Sequence, residues 1–335
     1  MNYIDRQKFK GIEDIFQRNA RFNNLLVRYL ENYPELITKK MIDTLTEEGD
    51  MTPEAAIIAI LTEAFGLDFD LPEDRRIIRD YLTPSVRILD AKRYTENPYY
   101  KNIRIENVTD GSWELRWESY PAYRGFVSGD VAMRSDFYEL APLGFFDEEF
   151  FFPAVLEDGN EWMTLTPVDL DTCEEAILAA RGRVVTFGLG LGYFAYMAAE
   201  KKDVTEVVVV EKSEAVIRLF RKYILPQIPS KEKISIVNAD AFVYAEKIMP
   251  KEHFDLAFVD TWRDAGDGEP MYRKMKSLEH LSEGTEFLYW IENFLISRSR
   301  VLRCLEIREL IEEDSPDAPK TISEAVEALK NPLGL

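Results

Sequence analysis

Short apolar segments alternate with helical patterns from Arg183 onward, and this alternation restricts the fold more than any other feature of the sequence. The segments are nearly continuous runs of Val, Ile and other apolar residues, which is typical of strands that are covered on both faces. They span residues 184–187, 206–211, 234–237 and 254–259, and a fifth candidate spans 286–290. Helices between such strands make right-handed crossovers and produce a parallel sheet. We therefore predict a doubly wound, Rossmann-like α/β domain over residues 165–312.

Residues 1–95 have a different pattern, because their apolar residues recur at helical spacing. Thr52 and Asp70 each stand shortly before a proline and are typical of helix N-termini. Gly49-Asp50 and Gly66 indicate breaks between helices. We predict a helical N-terminal region.

Between these two regions, residues 96–164 are predicted to form β-hairpins. Apolar residues alternate on either side of Asp110-Gly111 and again on either side of Asp158-Gly159-Asn160, and both sequences are typical of hairpin turns. A short helix over residues 171–180 is predicted to lead into the sheet. Residues 313–335 are predicted to be a C-terminal helix.

The charge of the chain limits its partners. It has 61 acidic and 41 basic residues, which give a net charge of −20. A field of this sign repels phosphate backbones, so we do not expect a nucleic acid partner. A cationic small molecule or a basic protein is compatible with it.

Other features concern location and metals. No apolar run approaches the roughly 20 residues that a membrane helix needs, and the first residues lack the basic-then-apolar order of a signal peptide. Cys173 and Cys304 are the only cysteines and do not have the spacing of a metal site. We expect a cytoplasmic protein without a membrane segment, a disulfide or a bound metal. The oligomeric state is left open.

A glycine-rich turn, Gly188-Leu189-Gly190-Leu191-Gly192, follows the first predicted strand. Doubly wound sheets bind ligands beyond the carboxyl ends of their strands, so this turn is the candidate site. Gly188 allows a tight turn and Gly190 a close approach to a ligand. The helix that follows is expected to offer free amides from about Leu191 onward. The dinucleotide fingerprint has its third glycine at the sixth position of the turn, which is Tyr193 in this chain. The third glycine here, Gly192, stands one position earlier, so NAD is disfavoured.

Three acidic residues follow the next three strands. Glu211, with Lys212 beside it, ends the second strand, Asp240 follows the third, and Asp260 follows the fourth. A carboxylate in the position of Glu211 accepts hydrogen bonds from two ribose hydroxyls. Asp240 is placed to accept from an adenine amino group or to cap the next helix. Asp260 is expected to face the reacting end of the ligand.

As an ordered set, these motifs in residues 183–262 resemble the core of the class I S-adenosylmethionine-dependent methyltransferases. The resemblance covers about a quarter of the chain and implies a methyltransferase sheet with S-adenosylmethionine as the cofactor. The implied cofactor-binding residues are Gly188, Leu189, Gly190 and Gly192 for the methionine part, Glu211 and Lys212 at the ribose, Asp240 and Ala241 at the adenine, and Asp260.

The function implied by this resemblance is methyl transfer to a nucleophile on a small molecule or a protein. Asp260 is the predicted catalytic residue, which positions the acceptor or removes its proton, with the loop 261–267 nearby. Tyr193, Thr261 and Trp262 are predicted to contact the substrate. The segment Trp162-Met163-Thr164 is predicted to fold over the cofactor.

Two departures leave other functions open. Thr186 stands where these methyltransferases often have an acid, two residues before the first glycine. The chain also resembles the spermidine synthase family of aminopropyltransferases, which use decarboxylated S-adenosylmethionine, but Leu191 stands where those enzymes carry an aspartate. The closing antiparallel hairpin of the methyltransferases is not evident. An aminopropyltransferase and a non-catalytic binding protein are therefore the alternatives.

Two further hypotheses concern single motifs. Asp260 with Glu292-Asn293 is an oxygen-rich set suited to magnesium, although Glu292 and Asn293 also suit the start of the last long helix, which we favour. The sequence 97–100, Asn-Pro-Tyr-Tyr, is predicted to be a loop. His253 and His280 are not expected to act as bases.

Overall fold

The computed structural model describes residues 1–47, 51–263 and 265–334, and the chain divides into two compact units. One, here called the sheet unit, contains Ala91–Ser119 and Phe151–Glu292. The other, the helical unit, contains Met1–Asp90, Tyr120–Phe150 and Asn293–Leu335. Neither unit is continuous in sequence, so the units do not coincide with the predicted segments. The proposed break at Gly49-Asp50 lies outside the described residues.

The sheet unit is built on five parallel strands, which are β1 (Gly182–Phe187), β2 (Val204–Glu211), β3 (Ile234–Asn238), β4 (Leu256–Val259) and β5 (Glu286–Tyr289). Their spatial order is β3-β2-β1-β4-β5. All of β4 and the central residues of β1 and β2, 184–185 and 207–210, are buried and apolar, which explains the continuous apolar runs there. The chain leaves β3 at one edge and returns to β4 beside β1, so strand order reverses between β1 and β4. This topology confirms the predicted doubly wound fold.

Helices precede and connect these strands. The helix before the sheet begins at Pro167, four residues earlier than position 171 where it was predicted, because Thr166 and Asp169 form a capping box there. The α-helices are α1 (Pro167–Ala179), α2 (Tyr193–Ala199), α3 (Glu214–Leu219, continued by a π-helix, Phe220–Ile224), α4 (Ala241–Lys247) and α5 (Ala265–Lys276). Single 3₁₀ turns span Leu225–Gln227, Lys231–Lys233, Met249–Lys251 and Glu279–Leu281.

Both predicted hairpins are confirmed. Val108–Asp110 pairs with Trp113–Tyr120, and Phe150–Glu157 pairs with Asn160–Thr164. The second turn has positive φ at Asp158 and Gly159, which favours Asp-Gly at the two positions. Two short helices, Ala91–Thr95 and Pro98–Asn102, precede the first hairpin.

The described residues up to Asp90, which lie in the helical unit, are mostly helical, with two differences from the sequence-based expectation. Val86–Ile88 is a strand, paired in parallel with Leu143–Phe145. Thr52 caps its helix as predicted. The helix that begins at Pro72 has Leu71 as its N-cap residue, so Asp70 is not the cap. The helices are Tyr3–Asn32, Lys39–Glu47, Pro53–Ala64, Pro72–Arg76 with the π-helix Ile77–Leu82, Thr83–Ser85, Glu292–Glu312 and Ile322–Lys330, and the remaining strands are Phe126–Val127, Ala132–Met133 and Glu139–Leu140. In the described ranges, no helix combines the length and the apolar character needed to cross a membrane.

One carboxylate fixes the start of the long helix Glu292–Glu312. The backbone N–H groups of Asn293 and Phe294 donate to Asp130, each over 2.9 Å. A carboxylate at this end also interacts favourably with the helix dipole.

We expect Asp130→Ala to lower the free energy of unfolding by about 1–2 kcal/mol, because two amides at the first turn lose their acceptor. Urea denaturation measures this change. Asp136→Ala is the matched control, since Asp136 has an exposed side chain in an ion pair with Arg134 and is expected to contribute under about 1 kcal/mol. Equal losses in the two variants would contradict the capping role.

Candidate functional site

A cavity of about 610 Å³ opens at the carboxyl ends of the parallel strands, within the sheet unit. Its size is in the range of small-molecule sites. Ten of the predicted site residues line it, namely Gly188, Leu189, Gly190, Glu211, Lys212, Asp240, Ala241, Asp260, Thr261 and Trp262. The switch point between β1 and β4 therefore brings most of the predicted site together.

Gly192 and Tyr193 do not line this cavity. Gly192 is the N-cap residue of α2, and a Cβ there would overlap the ring of Phe220. Tyr193 is 5% exposed, and its hydroxyl accepts a hydrogen bond from Asn97 over 3.0 Å. It borders a much smaller cavity of about 20 Å³. Tyr193 is thus a packed residue beside the site.

The glycines of the turn are required by the fold itself. Gly188, Gly190 and Gly192 have φ values of +102°, +49° and +74°, which disfavour residues with a side chain. A Cβ on Gly188 would overlap the backbone carbonyl oxygen of Asp260, and one on Gly190 would overlap the sulfur of Met163. The glycine pattern therefore does not by itself indicate a ligand.

The prediction of free amides from about Leu191 onward is wrong for Leu191 itself, and the amide of Leu189 in the turn is also bound. The N–H of Leu189 donates to Glu211 over 3.0 Å, and that of Leu191 donates to the sulfur of Met163 over 3.1 Å. Helix α2 begins only at Tyr193. The amides of Leu189 and Leu191 are therefore not available to a ligand.

Glu211 is the side chain that connects β2 to the turn. It is 8% exposed and lines the cavity, and its two oxygens accept from the N–H groups of Leu189, over 3.0 Å, and Ser213, over 2.6 Å. A carboxylate oxygen can accept more than one hydrogen bond. Glu211 is thus held rigidly and keeps acceptor capacity for a ligand.

Asp240 has both of its predicted roles open to it. One oxygen, Oδ1, accepts from the N–H groups of Phe242 and Val243 over 3.0 and 3.1 Å, so the residue caps α4. It also lines the cavity, with Ala241 beside it. The cap fixes its carboxylate at the start of α4.

Asp260 follows β4, and its N–H donates to the Phe187 carbonyl over 2.8 Å. Burial raises the pKa of its carboxyl to about 8, and the negative charges of Asp169 and Glu211 contribute to the rise. A group with this pKa gains or loses a proton near neutral pH, which is suitable for acid–base work.

Asp169, on the first turn of α1, also lines the cavity and was not predicted. Burial raises the pKa of its carboxyl to about 6, although hydrogen bonds from Thr166 oppose the rise. The sequence signal for it was the capping box, in which Thr166 is followed three residues later by an acid.

The cavity is negatively charged. Among the described residues that line it, six are acidic and only Lys212 and Arg263 are basic. The acidic residues are Glu161, Asp169, Glu211, Asp240, Asp260 and Asp267. Walls of one sign concentrate ligands of the opposite sign, so a cation is favoured here.

Three buried polar atoms at the cavity find no hydrogen-bond partner in the described part of the chain. They are the hydroxyl of Thr261 and the indole nitrogens of Trp262 and Trp290. Buried polar atoms are usually paired, so unpaired ones beside a cavity indicate a ligand or water with acceptor atoms. Trp290 was not predicted as a site residue, because it was counted within a strand.

The segment Trp162-Met163-Thr164 lines the cavity, as does Glu161 before it. Trp162 is 40% exposed and its ring packs edge-on against Trp113, with centroids 5.1 Å apart. That the segment covers a bound cofactor stays a prediction.

The loop predicted for residues 97–100 is wrong, because Asn97 caps a short helix, Pro98–Asn102. The hydroxyl of Tyr99 donates to the Leu191 carbonyl over 2.6 Å, and its ring packs edge-on against Tyr193. This helix therefore supports the glycine turn.

The magnesium hypothesis is not supported by the positions of its residues. Tyr272 donates to Glu292 over 2.7 Å, and Lys276 pairs with Glu292 over 3.3 Å. Asn293 is bound to Asp130. Neither Glu292 nor Asn293 borders the cavity, and the described residues contain no group of three or more metal-ligating His, Cys, Asp or Glu side chains. Both residues belong to the start of the last long helix, which was the favoured interpretation.

The sequence matches no protein-family profile and no curated protein. Solved structures give partial matches. Spermidine synthase from Thermotoga maritima is 15% identical, with a TM-score of 0.31 and coverage of 45% of this chain and 58% of that one. A spermidine synthase bound to the transition-state analogue AdoDATO is 16% identical, with a TM-score of 0.31 and coverage of 45% of this chain and 58% of that one. A proposed O-methyltransferase from Klebsiella pneumoniae is 16% identical, with a TM-score of 0.29 and coverage of 49% of this chain and 64% of that one.

These are proteins of the two kinds that the sequence motifs resemble. The chain spans less than two thirds of the length of each. At such TM-scores the matches carry no argument about activity, and the fold assignment rests on the strand order.

We expect Gly188→Ala to lower the free energy of unfolding by about 3 kcal/mol or more, because strain at positive φ adds to overlap with the Asp260 carbonyl. Urea denaturation measures the loss. Gly159→Ala is the matched control, since its φ is +77° but a Cβ there would meet no atom within 4 Å. It is expected to lose only about 1–2 kcal/mol. A loss at Gly188 no larger than at Gly159 would exclude the close approach.

The raised pKa of Asp260 predicts that the stability of the wild-type protein depends on pH. Between its ordinary value of 3.8 and about 8, the folded protein keeps a proton that the unfolded chain releases, so wild-type stability falls as pH rises through this window. Asp260→Asn removes this dependence. The Tm of the variant minus the Tm of wild type should therefore be larger at pH 8.5 than at pH 5. Thermal unfolding without ligand measures both values. Asp203→Asn, an exposed position in the same unit, is the control, and a parallel course of wild type and Asp260→Asn would contradict the assignment.

Proposed function

We propose that the cavity binds S-adenosylmethionine and that the chain transfers its methyl group to a nucleophile on a small molecule or a protein. The observation that carries this proposal is Glu211. Its carboxylate ends β2, is fixed by two backbone amides beside the glycine turn, and faces the cavity with acceptor capacity left. Such a carboxylate suits the vicinal hydroxyls of a ribose.

The other side chains fit the remaining parts of this cofactor. Asp240 and Ala241, one strand further along, are available to an adenine ring. The acidic lining suits a ligand with a positively charged sulfur. The unpaired donors of Thr261, Trp262 and Trp290 suit the acceptor atoms of its carboxylate or of the substrate.

When bound, S-adenosylmethionine supplies a methyl group on a sulfonium, whose carbon–sulfur bond breaks as the bond to the acceptor forms. The protein has to align the two reactants and exclude water. Asp260 lies at the switch point and titrates near neutral pH. A cation bound nearby favours its ionised form, in which it can accept the proton of the acceptor nucleophile.

Aminopropyl transfer is the second candidate, and the acidic lining favours it. Glu161, Asp169 and Asp267 lie in the cavity in addition to the three strand-end acids. A polyamine is a multiply charged cation and suits such a wall. In that reaction the carbon–sulfur bond to an aminopropyl group breaks, a carbon–nitrogen bond forms, the amine loses a proton and neutral 5′-methylthioadenosine leaves.

Calorimetric titration and turnover assays separate these functions. Binding of S-adenosylmethionine with methyl transfer to an acceptor supports the first, and binding of the decarboxylated form with aminopropyl transfer to a diamine supports the second. Binding without turnover over a panel of acceptors supports a non-catalytic binding protein. Failure of both sulfonium compounds to bind, with or without binding of NAD, rejects the proposal.

We expect Glu211→Gln to weaken the binding of S-adenosylmethionine by about 10- to 100-fold, because charged hydrogen bonds to the ribose are replaced by weaker ones. Isothermal titration calorimetry measures the Kd. Glu206→Gln is the matched control on the same strand, since Glu206 pairs with Arg183 and does not line the cavity. Unchanged affinity in Glu211→Gln means that the ribose assignment is wrong.

A further inference from the structure

The glycine turn carries no acid of its own. Thr186 is 1% exposed, and its hydroxyl is directed to the carbonyl of Gly188 over 3.4 Å. Leu191 is fully buried. Neither residue lines the main cavity, so a cation bound beside the turn needs a carboxylate from another element.

Asp169 is the acid that α1 brings to this place. It borders the main cavity and the small cavity behind it, together with Gly188 and Leu189 in both. Its Oδ2 accepts from the backbone N–H of Thr166 over 2.7 Å and from the Thr166 hydroxyl over 2.9 Å. The capping box therefore fixes the carboxylate beside the turn, which limits the entropy lost when it binds a ligand.

A second observation points to a ligand at the same place. Trp262 lines the main cavity, is 5% exposed, and has an indole N–H without a partner in the described ranges. Its ring is fixed against Tyr272 and Tyr289, with centroids 6.5 and 6.3 Å away. A buried donor held in this way indicates that the cavity that Asp169 lines binds a ligand or water with an acceptor atom.

Asp260 lies beside Asp169, since both line the main cavity and the small cavity, and the charge of Asp169 contributes to the raised pKa of Asp260. Two neighbouring carboxylates repel each other unless a proton or a cation lies between them. A bound ammonium group removes this repulsion and donates hydrogen bonds to both carboxylates.

We propose that Asp169 binds the ammonium group of the cofactor's side chain, with Asp260 beside it. This inference rests on the proposed function, and it applies equally to S-adenosylmethionine and to its decarboxylated form. It makes Asp169 the residue that distinguishes nucleosides with a charged amino group from neutral ones, in a chain whose glycine turn lacks that acid.

Two nucleosides with a neutral thioether sulfur test the ammonium contact without the sulfonium charge. Decarboxylated S-adenosylhomocysteine carries an ammonium group, and 5′-methylthioadenosine has the same adenosine without one. We expect wild-type protein to bind the first at least about tenfold more tightly in calorimetry, because a charge-assisted hydrogen bond is worth that much. We expect Asp169→Asn to abolish this preference while it leaves the affinity for 5′-methylthioadenosine unchanged.

Glu161→Gln removes the same charge from an exposed residue of the cavity and is the matched control, with the preference retained. Thermal unfolding checks that each variant is folded. If Asp169→Asn does not fold, Asp169→Glu keeps the capping box, since Glu is common at this position, but displaces the carboxylate. We expect it to lower the preference as well.

The possible results are distinct. A preference that disappears in Asp169→Asn, or falls in Asp169→Glu, and persists in Glu161→Gln supports the assignment. Equal weakening of both thioethers by Asp169→Asn, or no preference in wild-type protein, overturns it and leaves the proposed function standing. If wild-type protein binds neither thioether and no sulfonium compound, the proposed function fails and the assignment fails with it.

Discussion

The contact on which the site depends is the approach of the Asp260 carbonyl to Gly188. It occurs because β1 and β4 are neighbours at the point where strand order reverses, so the residues that follow both strands meet at one edge. No side chain fits between them. The same adjacency places the Asp260 carboxyl beside the turn, and the pairing of β1 with β2 places Glu211 there. The sheet topology thus assembles the acids, and the glycines permit them to be close.

This assembly has an energetic consequence. Burial raises the pKa values of Asp169 and Asp260, and the negative charges of Asp169 and Glu211 further disfavour the charged form of Asp260. The protein offsets part of that cost with backbone amides, which hold Glu211 and Asp169 in place. The pKa of Asp260 is raised further than that of Asp169, so we expect the protonation of Asp260 to respond more strongly when a cation binds.

Much of this arrangement was predictable from the sequence, because it follows from periodicity and strand order. The apolar runs predicted all five strands, and the positions of Glu211, Asp240 and Asp260, at strand ends or one to two residues past them, predicted that they share a cavity. What was not predictable depends on contacts distant in sequence. Tyr99 reaches the Leu191 carbonyl from a helix far upstream, and the amides of the turn are used by Met163 and Glu211. Asp169 was missed for a local reason, since placing the start of α1 at residue 171 hid its capping box.

The glycine motif shows why such a pattern is ambiguous on its own. Positive φ and overlap with Asp260, Met163 and Phe220 would require Gly188, Gly190 and Gly192 even in a protein that bound nothing. The functional inference therefore has to come from groups whose placement the fold does not need. The acceptor capacity that Glu211 keeps beyond the two amides it binds, and the buried, unpaired indole N–H of Trp262 in the described part of the chain, are of that kind. The unpaired N–H lowers stability unless an acceptor completes its hydrogen bond, which is the behaviour expected of a binding site rather than of a packing motif.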